Sequence, residues 1–346
     1  MIPGDIGSEL GLRAAGTWRR APGHGPGTYA TSIPFDIARS VGRPPEQVAQ
    51  ALADRLAGTE WITEASVTGG GYLTVTVTPA ALENLAVRVP AAGAACVASD
   101  ALTGTEVTAP PEIDPSTWDE AWQIVTAQAT ACLAAAAGAG PGGGRRAEAG
   151  PAAARLAQGR AGGVGDGPEG VTSLATGLAW AGGEAVRYAL ARTPRGRAAG
   201  GIDAGRYVQN NFASPYFTVR YAHAYAASVL RWAADLGLER GSAQDFRPGR
   251  LTEPAELEVL DIIAFMPERV AGAARRRRPD AFARYLEGLA AAWLGCRENC
   301  PALPFGGRSA PQDGPGAAAR LWLAAAAKTA LEMGLGLLGV ASPERL

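Results

Sequence analysis

Apolar positions recur along this chain at two periods, and the switch between them divides it. Near the N-terminus Leu73, Val75 and Val77 alternate with Thr74, Thr76 and Thr78, the period of two expected of a half-buried strand. Gly69-Gly70-Gly71 supplies the turn from a preceding strand over Trp61 to Val67, so a hairpin is predicted. Ahead of it, Ser32 opens a helix through Ile37 and Ala38 that Gly42 closes, and Pro44-Pro45 opens a second with Val48, Leu52 and Leu56 on one face. Residues 1–90 therefore read as a small α+β domain.

From Gly182 onward the period is helical. Ser214 and Pro215 form a helix start, because a hydroxyl can accept a first-turn N–H and proline lacks the N–H that would go unpaired there. Tyr216, Val219, His223, Ala226 and Leu230 then mark a buried face, and Gly237 stops the helix. Leu257, Leu260, Ile263 and Ala264 form a second stripe that Pro267 should kink or end. Phe282, Tyr285, Leu286, Leu289 and Trp293 follow Pro279 as a third, and Leu321, Ala325, Lys328, Leu331 and Leu335 run to a stop near Gly339. Residues 177–346 read as an all-α bundle.

Residues 91–176 belong to neither pattern. Trp118, Trp122, Val125 and Leu133 fit one helix started near Ser116, with Asp119 and Glu120 well placed in its first turn. The rest is Gly/Ala/Pro-rich with few apolar anchors, as in GAGPGGGRRAEAGP, and is expected to act as a linker because it buries too little surface to offset its ordering entropy.

Composition narrows the function. A net charge of −1 excludes a global basic field, so any nucleic-acid contact must be local. Residues 206–346 hold 17 Lys and Arg against 14 Asp and Glu, with four consecutive arginines at 275–278. No apolar run approaches a membrane span and no signal-peptide pattern opens the chain, so a cytoplasmic protein without membrane contact is expected. Four scattered cysteines fit reduced thiols, and with two histidines in the chain a metal site is not expected. His223 lies on the packed stripe with no Cys, Ser or acidic residue at a catalytic spacing, so it is read as a core histidine.

Two ordered motifs carry a resemblance. Glu184-Ala185-Val186-Arg187, followed by Ser214-Pro215 and Tyr221-Ala222-His223-Ala224, resembles the start of the DALR anticodon-binding domain of arginyl-tRNA synthetases. There an Asp-Ala-Leu-Arg run precedes an Asn-Pro helix containing Tyr-Ala-His-Ala. The likeness continues through LTEPAELEVLDIIAFMPERV and the closing Leu-Leu-Gly and Pro-Glu-Arg. Residues His24, Tyr29, Ala30 and Thr31, with the Gly-Arg-x-Pro turn and the VTGGGYL hairpin, resemble that family's N-terminal additional domain, although Thr28 and Ser32 replace its acidic and Asn positions. The resemblance implies an arrangement of small α+β domain, low-complexity linker and DALR-type helical bundle. It also implies contacts to tRNA at its outer corner and anticodon loop.

The same resemblance makes an absence informative. Arginine activation in the family uses a class I nucleotide-binding fold with a His-x-Gly-His-like motif and a Lys-Met-Ser-Lys-Ser-like loop. This chain has only His24 and His223, and Lys328 as its single lysine. Between the two matched regions a parallel-sheet nucleotide domain has too little patterned sequence. No catalytic residue and no cofactor are assigned, ATP being needed only if the chain is an arginine–tRNA ligase. The candidate tRNA contacts are Tyr29 and Thr31 at the corner domain, Arg220, Tyr221 and Tyr225 on the Tyr-rich helix, Arg275, Arg276, Arg277 and Arg278 in the arginine run, and Phe305 and Arg308 in a following loop. Arginines would hold phosphates and rings would stack bases, at roughly 1–3 kcal/mol per base. Packing of Tyr29 against the sheet and solvation of the arginine run at a helix end stay open as alternatives. The family's Arg after Tyr-Ala-His-Ala is Tyr225 here, which exchanges a charged fork for a ring.

Three functions stay open: a binding protein for an arginine-accepting tRNA, with no DNA partner expected; an ATP-dependent arginine–tRNA ligase; or a subunit presenting tRNA to a partner enzyme, docking through the linker and the Trp118–Leu133 helix.

Overall fold

The computed structural model describes residues 1–12, 17–107, 114–141, 173–194, 202–203, 205–303 and 314–346. The Gly/Ala/Pro-rich segment, with Phe305 and Arg308, lies outside the described residues. Two compact units form, each from three stretches of chain. The first takes Met1–Ala101, Val229–Glu268 and Gly295–Ala327; the second takes Leu102–Ser228, Arg269–Leu294 and Lys328–Leu346. These units cut across the sequential ranges read from the sequence.

In the first unit, α1 (Ile2–Glu9) precedes an antiparallel sheet of order β1-β2-β4-β3, made of β1 (Trp18–Arg20), β2 (Thr28–Thr31), β3 (Ile62–Thr68) and β4 (Tyr72–Val77). The predicted hairpin is β3–β4, and β2 pairs with β4 in the register Tyr29↔Val75. Helices α2 (Ile33–Val41) and α3 (Pro45–Leu56) pack beside it, α2 ending at Gly42 with φ 67° as expected of a left-handed helix stop. Gly71 has φ 127°, and a Cβ there would sit 2.7 Å from Pro45 Cβ, so the turn requires glycine both for its backbone and for its approach to α3.

The sequence reading excluded any stretch of membrane-like length and apolarity, but Pro79–Val97 reaches a mean hydropathy of 1.2. It is divided into α4 (Pro79–Glu83), α5 (Leu85–Ala92) and a 3-10 turn, and Leu82, Leu85, Ala86 and Val89 belong to the core of the first unit.

Helix α11 (Pro254–Ala264) packs on α4 and α5 and carries the charged centre of this unit. Asp261 Oδ1 accepts from the Tyr29 hydroxyl at 2.8 Å and from Gly27 N at 3.1 Å, while Oδ2 faces Arg20 Nε. Arg20 also grips Glu258 with two bonds of 2.7 and 2.6 Å. Burial pushes the Asp261 carboxyl above its usual value against these donors, and it lifts the Tyr29 hydroxyl well above its own. Elsewhere in the unit Glu83 Oε2 accepts from the backbone N–H groups of Gly249, Arg250 and Leu251, and Arg320 Nε donates to Glu256 at 2.7 Å.

Among the described residues the second unit is helical apart from a two-residue parallel pair, β5 (Glu106–Val107) with β6 (Gly140–Pro141). Helix α6 (Trp118–Ala136) starts at a Thr117/Glu120 capping box one residue after the predicted Ser116. Its buried stripe of Trp118, Ala121, Val125, Ala129 and Leu133 is spent within this unit. α6 packs on α8 (Gly183–Arg192), Trp122 Nε1 donates to Thr193 O at 2.9 Å, and Arg187 Nη1 donates to Gln128 at 2.9 Å. The expected docking arm is thereby corrected: its apolar face is an internal surface. Short α7 (Leu174–Ala181) and α9 (Gly205–Val208) flank α8. The remaining helices are α10 (Pro215–Asp235), α12 (Met266–Arg276), α13 (Pro279–Asn299) and α14 (Gly314–Leu337). Phe265 separates α11 from α12, and Pro267 stands in the first turn of α12, where its missing N–H would go unpaired anyway.

Asp261→Ala should lower stability by about 3 kcal/mol or more, since it strands a buried hydroxyl, an N–H and part of a guanidinium. Arg39→Ala, which breaks the exposed Arg39–Asp36 pair, should stay within about 0.5 kcal/mol. Urea unfolding of both variants beside the unaltered chain checks the contrast.

Candidate nucleic-acid interface

Ser214 Oγ accepts from Phe217 N at 3.3 Å and Pro215 occupies the first turn, so α10 begins as its sequence predicts. An α-helix advances 100° per residue, and the aromatic residues of α10 therefore divide between two faces. On the buried face Tyr216 donates to Glu184 at 3.3 Å and lies 5.8 Å from the Tyr188 ring. His223 Nδ1 bonds Pro343 O at 2.9 Å, in the segment after α14. Burial, the largest influence, holds the His223 imidazole below its ordinary value, with Lys328 acting in the same sense and the Pro343 carbonyl opposing.

Phe217, Tyr221 and Tyr225, four residues apart, stand on the half-buried face. Phe217 stacks on Tyr221 at 5.5 Å and 25°, and Tyr221 on Tyr225 at 6.3 Å and 24°. Phe212, 58% exposed in the turn before the helix, meets Phe217 and Tyr221 edge-on at 5.8 and 5.2 Å. Tyr225 closes the ladder against Trp293 of α13 at 6.4 Å. Near-parallel rings at this spacing form a surface on which planar bases can continue the stack.

The structure distributes the expected contacts unevenly. Tyr221 and Tyr225 come together in the ladder, which adds Phe217 and Phe212. Phe217 was legible as the first member of a four-residue repeat; Phe212 precedes the helix and carries no periodic signal. Arg220 does not join the ladder. Its guanidinium lies 4.9 Å over the Tyr216 ring, one step round the helix, and among the described residues its buried Nε has no hydrogen-bond partner. Tyr29 and Thr31 require correction. Tyr29 is 0% and Thr31 1% exposed, the first committed to Asp261 and the second accepting from Ile33 N at 3.2 Å. Both act as scaffold with no surface left for RNA, so of the two readings of Tyr29, packing on the sheet is the one the geometry supports.

Arg275, Arg276, Arg277 and Arg278 are all exposed at the C-terminus of α12. Arg277 takes the left-handed conformation, φ 51°, and the N–H groups of Arg277 and Arg278 bond Ala274 O and Ala273 O, closing the helix. Arg278 pairs with Asp280, which is buried. Burial works to raise the Asp280 carboxyl, but bonds from Arg278 and Arg284 outweigh it and hold the group below its usual value. Among the described residues no group of three or more His, Cys, Asp or Glu side chains is arranged to hold a metal ion.

A helical unit that presents stacked rings and an arginine-rich helix end has the makings of a nucleic-acid-reading module. Comparison with known proteins gives this class a family. Residues 219–346 match the DALR anticodon binding domain and residues 19–77 the arginyl tRNA synthetase N terminal domain. Over 163 residues the chain is 38% identical to the arginine–tRNA ligase of Frankia alni, covering 47% of this chain and 29% of that protein. The ligase of Pseudarthrobacter chlorophenolicus is 36% identical over 169 residues, covering 48% and 30%. The chain thus spans less than a third of the length of these curated relatives. The Thermus thermophilus arginyl-tRNA synthetase superposes with a TM-score of 0.63 at 16% identity, over 99% of this chain and 98% of that one, a likeness of fold. The chain thus carries two regions that match the N-terminal and anticodon-binding domains of arginyl-tRNA synthetases.

Because the folded chain binds the His223 proton less readily than the unfolded chain, stability should fall as pH drops below about 6.5, by at most about 1.4 kcal/mol per pH unit, until the folded imidazole is protonated too. His223→Gln should remove that part of the slope, as urea unfolding at pH 7.5 and 5.5 would reveal.

Proposed function

We propose that this chain is a tRNA-binding protein that holds an arginine-accepting tRNA through its anticodon-binding domain, without the catalytic core of its relatives. The observation that carries the reading is the aromatic ladder on α10. A run of half-buried, near-parallel rings with the exposed Phe212 at its start is an uneconomical surface for water and a suitable one for unstacked loop bases. Tyr221 and Tyr225 lie within the matched anticodon-binding domain, and Phe217 and Phe212 just before it, which supports RNA as the partner. Contact at the tRNA corner would fall to exposed side chains of the first unit, such as His24, in place of Tyr29 and Thr31.

The lack of autonomous catalysis is supported by what lies between the matched regions. Among the described residues from 78 to 218 the chain forms helices and one two-residue strand pair, whereas a class I nucleotide site rests on a parallel sheet with alternating helices. Electrostatic stabilisation of a leaving pyrophosphate also needs several converging cations beside that site. The ligation named for the relatives is an activity of proteins more than three times the length of the stretch matched here.

Filter binding of the purified chain to tRNA should give an affinity that weakens steeply between about 50 and 200 mM salt. Phe217→Ala and Tyr221→Ala should each reduce it about 5- to 100-fold, while Tyr221→Phe, which keeps the ring, should retain it. Equal binding to tRNA and to duplex DNA of the same charge, or no binding at low salt, would overturn the proposal. Arginine-dependent ATP–pyrophosphate exchange is expected at background level; a clear rate would restore the ligase reading.

A further inference from the structure

The ladder leaves a second feature of the same unit unexplained. Residues 269–284 contain six arginines and one acid, Asp280. Arg269, Ala273, Arg276, Ala281, Arg284 and Tyr285 line a cleft of about 280 Å³ between α12 and α13. Arg269, Arg284 and Tyr285 had no part in the sequence-based assignment, because they join the arginine run only when the two helices fold side by side.

Two details distinguish this cleft from a solvated helix end. The Asp280 carboxylate accepts from Arg278 Nε and Nη2 at 2.7 and 2.8 Å and from Arg284 Nη1 at 2.7 Å. One buried acid thereby orients two cations, and Arg284 keeps Nε and Nη2 uncommitted to it. Arg276, in turn, lies back along α12 over Gly272: a Cβ at that position would be 2.9 Å from Arg276 Nη2. Glycine is a costly choice in a helix interior, and here it creates the seat in which this guanidinium rests. Tyr285 adds a half-buried ring, stacked on Phe282 at 5.7 Å and 27°. Several guanidinium groups beside one ring, in a cleft at the small end of ligand pockets, match an oxyanion with a planar group attached.

We propose that this cleft is a phosphate subsite that takes one phosphodiester of the bound RNA, its flanking base or ribose lying against Tyr285. The inference rests on the RNA-binding reading and adds to it a defined backbone contact. Tyr285 and Trp293 share α13, eight residues or about 12 Å apart along the helix axis. Since Trp293 closes the ladder at Tyr225, one strand can reach both. Free phosphate offers the same chemistry, and the experiment separates the two sources.

Full-length chain and three variants, Gly272→Ala, Arg269→Gln/Arg284→Gln and Tyr285→Leu, are titrated with tRNA over a range of salt, and melting temperatures are recorded. Gly272→Ala keeps every charge and favours the helix, yet displaces Arg276; tRNA affinity should fall about three- to tenfold with the melting temperature unchanged or raised. The double arginine variant should lose at least tenfold and lower the salt slope by about one to two, the share of one or two phosphate contacts. Inorganic phosphate should compete with tRNA on the unaltered chain more effectively than chloride at equal ionic strength, and lose that advantage in the double variant. Unaltered tRNA affinity and salt slope in all three variants would overturn the subsite alone, while leaving RNA binding at the ladder intact. Phosphate binding lost in the double variant without any change in tRNA affinity would overturn the RNA assignment in favour of a free anion. Failure of the unaltered chain to bind tRNA at low salt would overturn both readings.

Discussion

A carboxylate removed from water must be given donors, and this constraint organises both units of the molecule. Asp261 collects a hydroxyl, a backbone N–H and a guanidinium from the N-terminal sheet; Glu83 collects three consecutive backbone N–H groups; Glu256 takes Arg320. In the second unit Glu287 accepts from Tyr188 and from Arg192, the latter at 2.6 and 3.1 Å, and Asp280 holds Arg278 and Arg284. Most of these partners come from distant parts of the chain. Apolar packing would tolerate neighbouring arrangements of the same elements, whereas a buried charge left without its donors would not, so these groups select among the packings that hydrophobicity alone allows.

The same economy shapes the candidate interface. Helix α10 commits one face to the interior, through Tyr216, Val219 and His223, and offers another as a run of stacked rings. Turning Tyr216, Val219 and His223 inward is what leaves the ring face available. Arg220 illustrates the division, because its cation is spent on Tyr216 at the border between the two. On α12 and α13 an acid with 2% exposure does not cancel the basic surface but holds two members of it in place. Charge is thus displayed where a phosphate can meet it, with part of the cost of ordering long side chains already met inside the protein.

The elements of this fold were largely legible from the sequence. The β3–β4 hairpin, the start of α10 at Ser214-Pro215 and the left-handed stops at Gly42 and Gly339 follow from period and local backbone chemistry, which act within a few residues. The interface was legible in part. Tyr221 and Tyr225 were visible as surface rings on a helix, and Arg275–Arg278 as a basic run. The error over Tyr29 and Thr31 has a definite cause: a motif says which residues accompany one another, not which side of a strand faces the core. Thr31 lies beside β1 and below the start of α2, and Tyr29 reaches an acid 232 residues away.

What the sequence determined by itself was therefore local: where helices and strands begin and end, which glycines turn the chain, and which family's domains those segments resemble. The tertiary structure alone decided which polar side chains are spent inside. It sent Tyr29 to Asp261, Trp122 to Thr193 and Arg278 to Asp280, it turned the α6 stripe inward, and it joined Arg269, Arg276 and Arg284 around one cleft. Periodicity reports on neighbours within a turn or two of the same element, but desolvation and charge pairing depend on whatever the fold brings across from elsewhere in the chain.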